Sequence, residues 1–436
     1  MDSVLAISGS SSTSRTRVGW FIARFENRFG KRFDERHLPQ KLQNCEIKYT
    51  TEITPEGMRA TATCGPSITD KGNNMQKSLW LACGTSIASS VLLCACGGGS
   101  SADTASTTST EATKTEVVRT APASKMASAV KAAENAASTD ALCDPAKLGD
   151  YYWEIGDADS ELPVASGTRG GGTVTASTRF NIASASKFVF GAYVLEKKGI
   201  EEVRNNPSLH DGLRFLSGYS DFNENDCIGS LTIGGCFKAG NGGHPLLPDP
   251  NTKGRFYYNG GHDQKLAAID LGMYTFTAKQ LDQEYQSTLG LGAGFSTSTF
   301  APLAGGGLIA SASDFAQFLR KVMRQQLVIG SHLGEDAVCA QPAICPDQAV
   351  YAPPALQNEP WSYSYNHWVE SETGNGTVDA YSSPGKFGFY PWISPDRKYY
   401  GILSRHSRFE AGAGGASARC GRQIRKAFLA ALQATS

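Results

Sequence analysis

The 436-residue sequence has no excess of charge of either sign. Its 41 Lys and Arg are matched by 41 Asp and Glu, for a formal net charge of +0 at pH 7. A chain without a basic field lacks the electrostatic footprint of a nucleic-acid binder, so no nucleic-acid partner is expected. It also lacks a membrane-spanning run. Its most apolar stretch, residues 79–93, is shorter than the roughly 20 residues a bilayer requires and is interrupted by Cys83, Gly84 and Thr85. Beyond residue 142 there is no Cys-x-x-Cys pair and no metal-like spacing of histidines, so no metal is expected. Charge of any kind is scarce at 19%, against 40% hydrophobic residues, which is enough apolar material for a globular core.

Residues 1–74 are rich in Ser, Thr and Arg, with a helical face only over 18–29. A new pattern begins at Met75-Gln76-Lys77: a positive residue, an apolar run, then Leu93-Cys94-Ala95-Cys96 and a glycine-serine stretch. This reads as a secretory signal, and its end resembles a bacterial lipobox. That resemblance implies lipidation of Cys96, export, and attachment to a membrane through a lipid anchor. Residues 1–74 are then expected to be upstream sequence from a mis-assigned start, with a genuine extension as the alternative. Residues 97–141 contain no aromatic residue and are rich in Ala, Ser, Thr and Gly, so a flexible linker is expected, with at most a fraying helix over 125–137. The folded domain is expected over 142–436. It carries six cysteines, an even number behind a secretion signal, which suggests disulfides. Cys227 with Cys236 and Cys339 with Cys345 would close short loops, leaving Cys143 and Cys420 to join the domain's ends.

The domain is organised around Phe180-Asn181-Ile182-Ala183-Ser184-Ala185-Ser186-Lys187. A strand-like run leads into small residues and then a helix over about 184–198, with Gly199 at its end. Ser184 and Lys187, three apart, lie on one face one turn apart. A serine hydroxyl needs a base within hydrogen-bond reach to act as a nucleophile, and burial lowers a lysine pKa, which would make Lys187 that base. The competing reading is a plain helix N-cap serine. Further elements are strands near 151–155, 162–166, 361–369, 387–394 and 398–404, and helices over 263–270, 277–290 and 422–432. Another helix after Ser311 and Asp314, at capping-box spacing, has Phe315, Phe318, Leu319 and Val322 as its apolar face.

Several of these stretches together resemble the serine β-lactamase and penicillin-binding superfamily, in its class C β-lactamase, esterase and D-aminopeptidase branch. Ser184-Ala185-Ser186-Lys187 matches the first motif, Tyr257-Tyr258-Asn259 the Tyr-x-Asn motif, and Gly305-Gly306-Gly307-Leu308 a glycine turn before a helix. Phe387-Gly388-Phe389-Tyr390 and Tyr400-Gly401-Ile402-Leu403 match the final strand pair. The likeness covers residues 150–432. It implies an α+β fold of the β-lactamase/transpeptidase type: an antiparallel sheet flanked by helices, with a mostly helical lobe. It implies Ser184 as nucleophile, Lys187 and Tyr257 as the base system, Asn259 bonding Lys187 or substrate, and the Ser184 backbone N–H as half of an oxyanion hole. No cofactor is required.

The departure lies in the third motif, where the family has Lys-Thr-Gly or His-x-Gly. Here Ser383-Pro384-Gly385 fills the place, with Lys386-Phe387-Gly388 as a rival. A serine there leaves no fixed cation for a β-lactam carboxylate. The expected activity is therefore hydrolysis of small esters or amides through an acyl-enzyme, with Ser383 and Gly385 contacting substrate. A β-lactamase or D,D-peptidase-type penicillin-recognising protein is the alternative, and a catalytically inactive surface binding module is a second. His262 reads as a surface residue at a helix start, and His244 and His406 as non-catalytic. Residues 217–254 read as a disulfide-pinned insertion able to reshape the pocket.

Overall fold

The computed structural model describes residues 45–54, 57–66, 123–243 and 247–434. Cys96, the apolar run at 79–93 and His244 lie outside the described residues. Two compact units are present, residues 1–111 and 112–436. In the first, strands Cys45–Thr54 and Gly57–Pro66 form an antiparallel hairpin.

The second unit is built on an eight-stranded antiparallel sheet. Its spatial order is Ala165–Arg169, Tyr151–Asp157, Tyr399–Ser404, Tyr390–Ile393, Ala380–Ser382, His367–Glu370, Ser362–Ser364 and Val338–Cys339. The centre pairs the start of the unit with its end: Tyr151–Asp157 lies beside Tyr399–Ser404, with Trp153 opposite Leu403. Helix Ala413–Gln433 packs on one face and helix Ala312–Met323 on the other. The latter opens with the capping box expected at Ser311 and Asp314, both reciprocal bonds being present. A salt bridge buried beneath the C-terminal helix fixes its seat: Arg425 meets Glu370 at 2.8 Å and donates to the Tyr390 hydroxyl at 2.9 Å. A second, helical lobe centres on helix Ser186–Lys198, whose Phe188, Val189, Ala192, Tyr193, Val194 and Leu195 are all buried. Because that helix is surrounded on all sides, its sequence shows a continuous apolar run rather than a stripe.

The α+β architecture expected from the sequence is the one observed, with boundary differences. The linker expected over 97–141 is overridden at its end. Residues Ala123–Thr139 form a helix that packs against Ala413–Gln433. Ala129, Ala133 and Ala137 recur every four residues and are fully buried. Methyl-sized side chains on one face let two helix backbones approach closely, so an alanine-rich segment that reads as a tether becomes a packed helix. The closing helix likewise begins at Ala413, nine residues before its expected start: Gly414 and Gly415 lie against the Gly385 and Ala355 backbone, and Ser417 accepts from the buried Arg405.

All three expected cysteine pairs are bonded: Cys143–Cys420, Cys227–Cys236 and Cys339–Cys345. The first joins residues 277 apart. Cross-linking distant residues removes the most freedom from the unfolded chain, up to about 5 kcal/mol here against about 2.5 kcal/mol for a loop of some nine residues. Replacing Cys143 and Cys420 together by alanine should therefore lower the denaturant midpoint more than the same change at Cys227 and Cys236. Equal midpoints would contradict this.

Candidate active site

The nucleophile turn is a short 3-10 segment, Ala183–Ala185, between strand Phe180–Asn181 and helix Ser186–Lys198. Ala183 adopts φ +46°, an unfavourable conformation for a residue with a Cβ. It is held by the Asn181 side chain, whose Oδ1 accepts from the Ala183 N–H at 2.8 Å. Ser186 Oγ accepts from the Leu308 N–H at 3.1 Å, tying the turn to strand Leu308–Ala310. The result is a sharp bend that leaves Ser184 half-buried while its neighbours on both sides are buried.

Lys187 is 1% exposed. Its ammonium donates to Ser184 Oγ at 3.3 Å and to the Gly305 carbonyl at 2.7 Å, and lies 3.9 Å from Asp263 Oδ2. Burial works against its charge, but Tyr258, Asp263 and Glu224 outweigh burial and raise its pKa. This corrects the expectation that burial would leave Lys187 a neutral base. These neighbours are remote in the chain and are not evident from the Ser-x-x-Lys spacing.

The tyrosine that reaches this centre is Tyr258 rather than Tyr257. The Lys187 ammonium stands 5.4 Å from the Tyr258 ring centroid, and the Tyr258 hydroxyl lies near enough to the Ser184 side chain for that serine to lower its pKa. The ring is stacked on Trp368 at 5.3 Å. Burial raises the Tyr258 pKa, and Lys187 and Ser184 only partly offset it. Tyr257 points the other way, packing on Tyr351 with ring centroids 5.1 Å apart. Adjacent residues of the short strand Phe256–Tyr257 and its continuation alternate in direction, so a shift of one residue exchanges the side facing the serine.

The one-residue shift also moves Asn259 off the lysine. Its side chain donates to the Phe222 carbonyl at 3.2 Å and accepts from the Gly261 N–H at 2.7 Å, bracing the 217–254 insertion. Two residues after Tyr258 stands Gly260. A Cβ there would lie 2.7 Å from Glu224 Oε1, so a carboxylate from the insertion fills the space a side chain at 260 would use. Glu224 also accepts from Lys386 at 3.2 Å. Burial opposes the Glu224 charge, but Lys187 and Lys386 outweigh it and hold its carboxyl below the usual range. The Cys227–Cys236 bond lies just beyond Glu224, so the insertion is fixed where it enters the site.

Of the two placements of the third motif, Ser383 is the one at the nucleophile: its hydroxyl donates to the Ser184 carbonyl at 2.9 Å. The Gly385 N–H is donated to Phe389 O at 2.7 Å, so Gly385 closes its own turn. Lys386 reaches Glu224 instead.

His262 is fully buried, not at the surface as its place at a helix start suggests. Its ring stacks on Phe215 at 4.8 Å and contacts Ser217 Oγ at 2.7 Å and the Tyr257 carbonyl at 3.0 Å. Burial pushes its pKa down to about 3, which keeps the imidazole neutral. His406 packs between Phe180 and Phe387.

Asp263 and Glu224 are the groups that sequence reasoning missed. Asp263 follows the Tyr-x-Asn stretch at the start of helix Gly261–Lys265 and is fully buried. Gly305 permits this, since a Cβ on residue 305 would overlap Asp263 Oδ2. The only sequence signal is an aspartate five residues after a motif tyrosine, opposite a glycine-only turn.

No family model matches the chain, and no curated protein matches it at a significant level. Among solved structures, a protein described as a putative beta-lactamase from Bacteroides dorei DSM 17855 is 19% identical, with 65% of this chain and 95% of that one covered and a TM-score of 0.47. Simvastatin synthase from Aspergillus terreus is 12% identical, with 72% and 100% covered and a TM-score of 0.49. A D-amino acid amidase from Ochrobactrum anthropi SV3 is 11% identical, with 71% and 99% covered and a TM-score of 0.48. Other matched structures are described as a hydrolase with promiscuous acyltransferase activity and a penicillin-binding protein homologue from Pyrococcus abyssi, each 14% identical to this chain.

Proposed function

We propose that this chain is an exported serine hydrolase that works through an acyl-enzyme on Ser184 and acts on small esters or amides without a carboxylate beside the scissile bond. The observation that carries this reading is the buried Lys187 amino group, 3.3 Å from Ser184 Oγ beneath a strained turn and 5.4 Å from the Tyr258 ring. A nucleophile, a cation and a phenolic proton donor converge there, which is what acyl transfer needs. Ser184 Oγ bonds to the acyl carbon as its proton passes to the Lys187 amine. Tyr258, neutral at rest, supplies a proton to the leaving group, and water then releases the acyl group. Three disulfides support an oxidising compartment. Lipid attachment at Cys96 is part of this proposal.

The preference against anionic substrates rests on Lys386. It is the cation of the rival third motif, and it is engaged with Glu224. A neutral ester should therefore be turned over well ahead of an anionic penicillin. Glu224→Gln frees Lys386 and should improve acylation by the penicillin relative to the ester by about two- to fivefold, the size expected of a partly exposed charge pair. Measuring kcat/KM for both substrates in both proteins tests this. A wild type that prefers the penicillin would overturn the substrate assignment.

A further inference from the structure

Neither group beside Ser184 is ready to take its proton. The pKa of Lys187 is raised by its neighbours and that of Tyr258 by burial, and both shifts favour the form that still carries its proton. The three N–H bonds of an ammonium need three acceptors. Two are Ser184 Oγ and the Gly305 carbonyl, and Asp263 Oδ2 at 3.9 Å faces the third. A carbonyl cannot hold a proton. Asp263 Oδ2 has no hydrogen-bond partner among the described residues, although the aspartate is fully buried. A buried carboxylate oxygen left without a bond is costly, and such exceptions call for an explanation. The other oxygen, Oδ1, is fixed by Asn366 Nδ2 at 2.8 Å, which aims Oδ2 at the lysine.

We propose that Asp263 is the positioning residue that makes Lys187 a base, by taking the proton Lys187 must shed before it accepts one from Ser184. This rests on the serine-hydrolase reading above. The Lys187 Nζ–H bond breaks as an Asp263 Oδ2–H bond forms. The neutral amine then takes the Ser184 Oγ proton as Oγ bonds to the acyl carbon. When the acyl–leaving-group bond breaks, Tyr258 protonates the leaving group and is reprotonated by Lys187, and Asp263 returns its proton to Lys187. The site ends as it began, with the acyl group on Ser184 and the leaving group protonated.

The surroundings suit this role. The groups facing Asp263 are Lys187 and Tyr258, Glu224 from the insertion, Tyr285 from helix Ala278–Leu289, Tyr363 from strand Ser362–Ser364, and Asn366. Burial raises the Asp263 pKa, Lys187 and Asn366 pull it back, and it stands at about 7. A carboxyl at that pKa can hold a proton briefly and release it near neutral pH. Below that pH Asp263 is already protonated and Lys187 keeps its own proton, so activity falls on the acid side.

The test is the pH profile of kcat/KM on a neutral p-nitrophenyl ester, with the full chain, together with fluorophosphonate labelling of Ser184. The wild type should lose activity below about pH 7. In Asp263→Asn the limb at about pH 7 is replaced by one that Lys187 itself sets. The rate at neutral pH falls by about a hundredfold, and the deficit shrinks as pH rises, because hydroxide then deprotonates Lys187. Asn366→Gly provides a second route if the buried asparagine impairs folding. Residue 366 has φ +61°, which glycine adopts freely. Losing the Asn366 amide removes a bond that favours the carboxylate, so the acid limb should move to higher pH. A wild type labelled at Ser184 whose acid limb stays in place in both variants overturns the assignment of Asp263 alone. A wild type that the fluorophosphonate does not label overturns the hydrolase reading and Asp263 with it.

Discussion

Under the proposed function, Ser184→Ala should lower kcat/KM for a neutral ester by about 10⁴-fold or more, since losing the nucleophile of an acyl-enzyme leaves only binding and polarisation to act. The protein should remain folded. The Ser184 hydroxyl is half-buried at the mouth of the turn, and the bond that ties this turn to the last strands uses the Ser184 carbonyl, which alanine retains. Ala183 and Asn181, which shape the turn, are untouched. Ester hydrolysis read against the thermal unfolding midpoint separates the two effects. A loss of less than tenfold with an unchanged midpoint would remove Ser184 from the mechanism.

The paired substitutions Tyr258→Phe and Tyr257→Phe should differ by about two orders of magnitude. Phenylalanine at 258 keeps the stacking on Trp368 but deletes the hydroxyl that meets Ser184, and a lost general acid costs about 10²–10⁴-fold. Phenylalanine at 257 removes a hydroxyl from a ring packed on Tyr351, outside the charge cluster, and should leave kcat/KM within about threefold. The reverse ranking would return the catalytic role to Tyr257. A leaving group that needs no protonation, such as a nitrophenolate, should be less sensitive to Tyr258→Phe than an alkoxide.

How far the sequence could be read depended on whether a feature was local. The Ser-x-x-Lys turn and the capping box at Ser311 and Asp314 are written in neighbouring residues, as are the strands expected at 151–155 and 398–404, which are observed at 151–157 and 399–404. The cysteine pairs were legible by spacing, with the remote pair reached by elimination. The choice between Tyr257 and Tyr258 was not legible, because one residue of strand register reverses which side chain faces inward. Glu224 and Asp263 were not legible either. Each is an ordinary acidic residue until Gly260 and Gly305, far off in the chain, leave room for its carboxylate. The alanine helix Ala123–Thr139 resembles a linker until it meets Ala413–Gln433. The state of Lys187 follows from these distant partners and not from its own burial.

The central claim is that Ser184 is an activated nucleophile. The most direct measurement is intact-mass analysis of the full chain after incubation with a fluorophosphonate, followed by peptide mapping. One adduct is expected, on Ser184, absent from Ser184→Ala and formed much more slowly in Lys187→Met, where the amino group 3.3 Å from Oγ is lost. No adduct, or an adduct on another residue that survives Ser184→Ala, would contradict it.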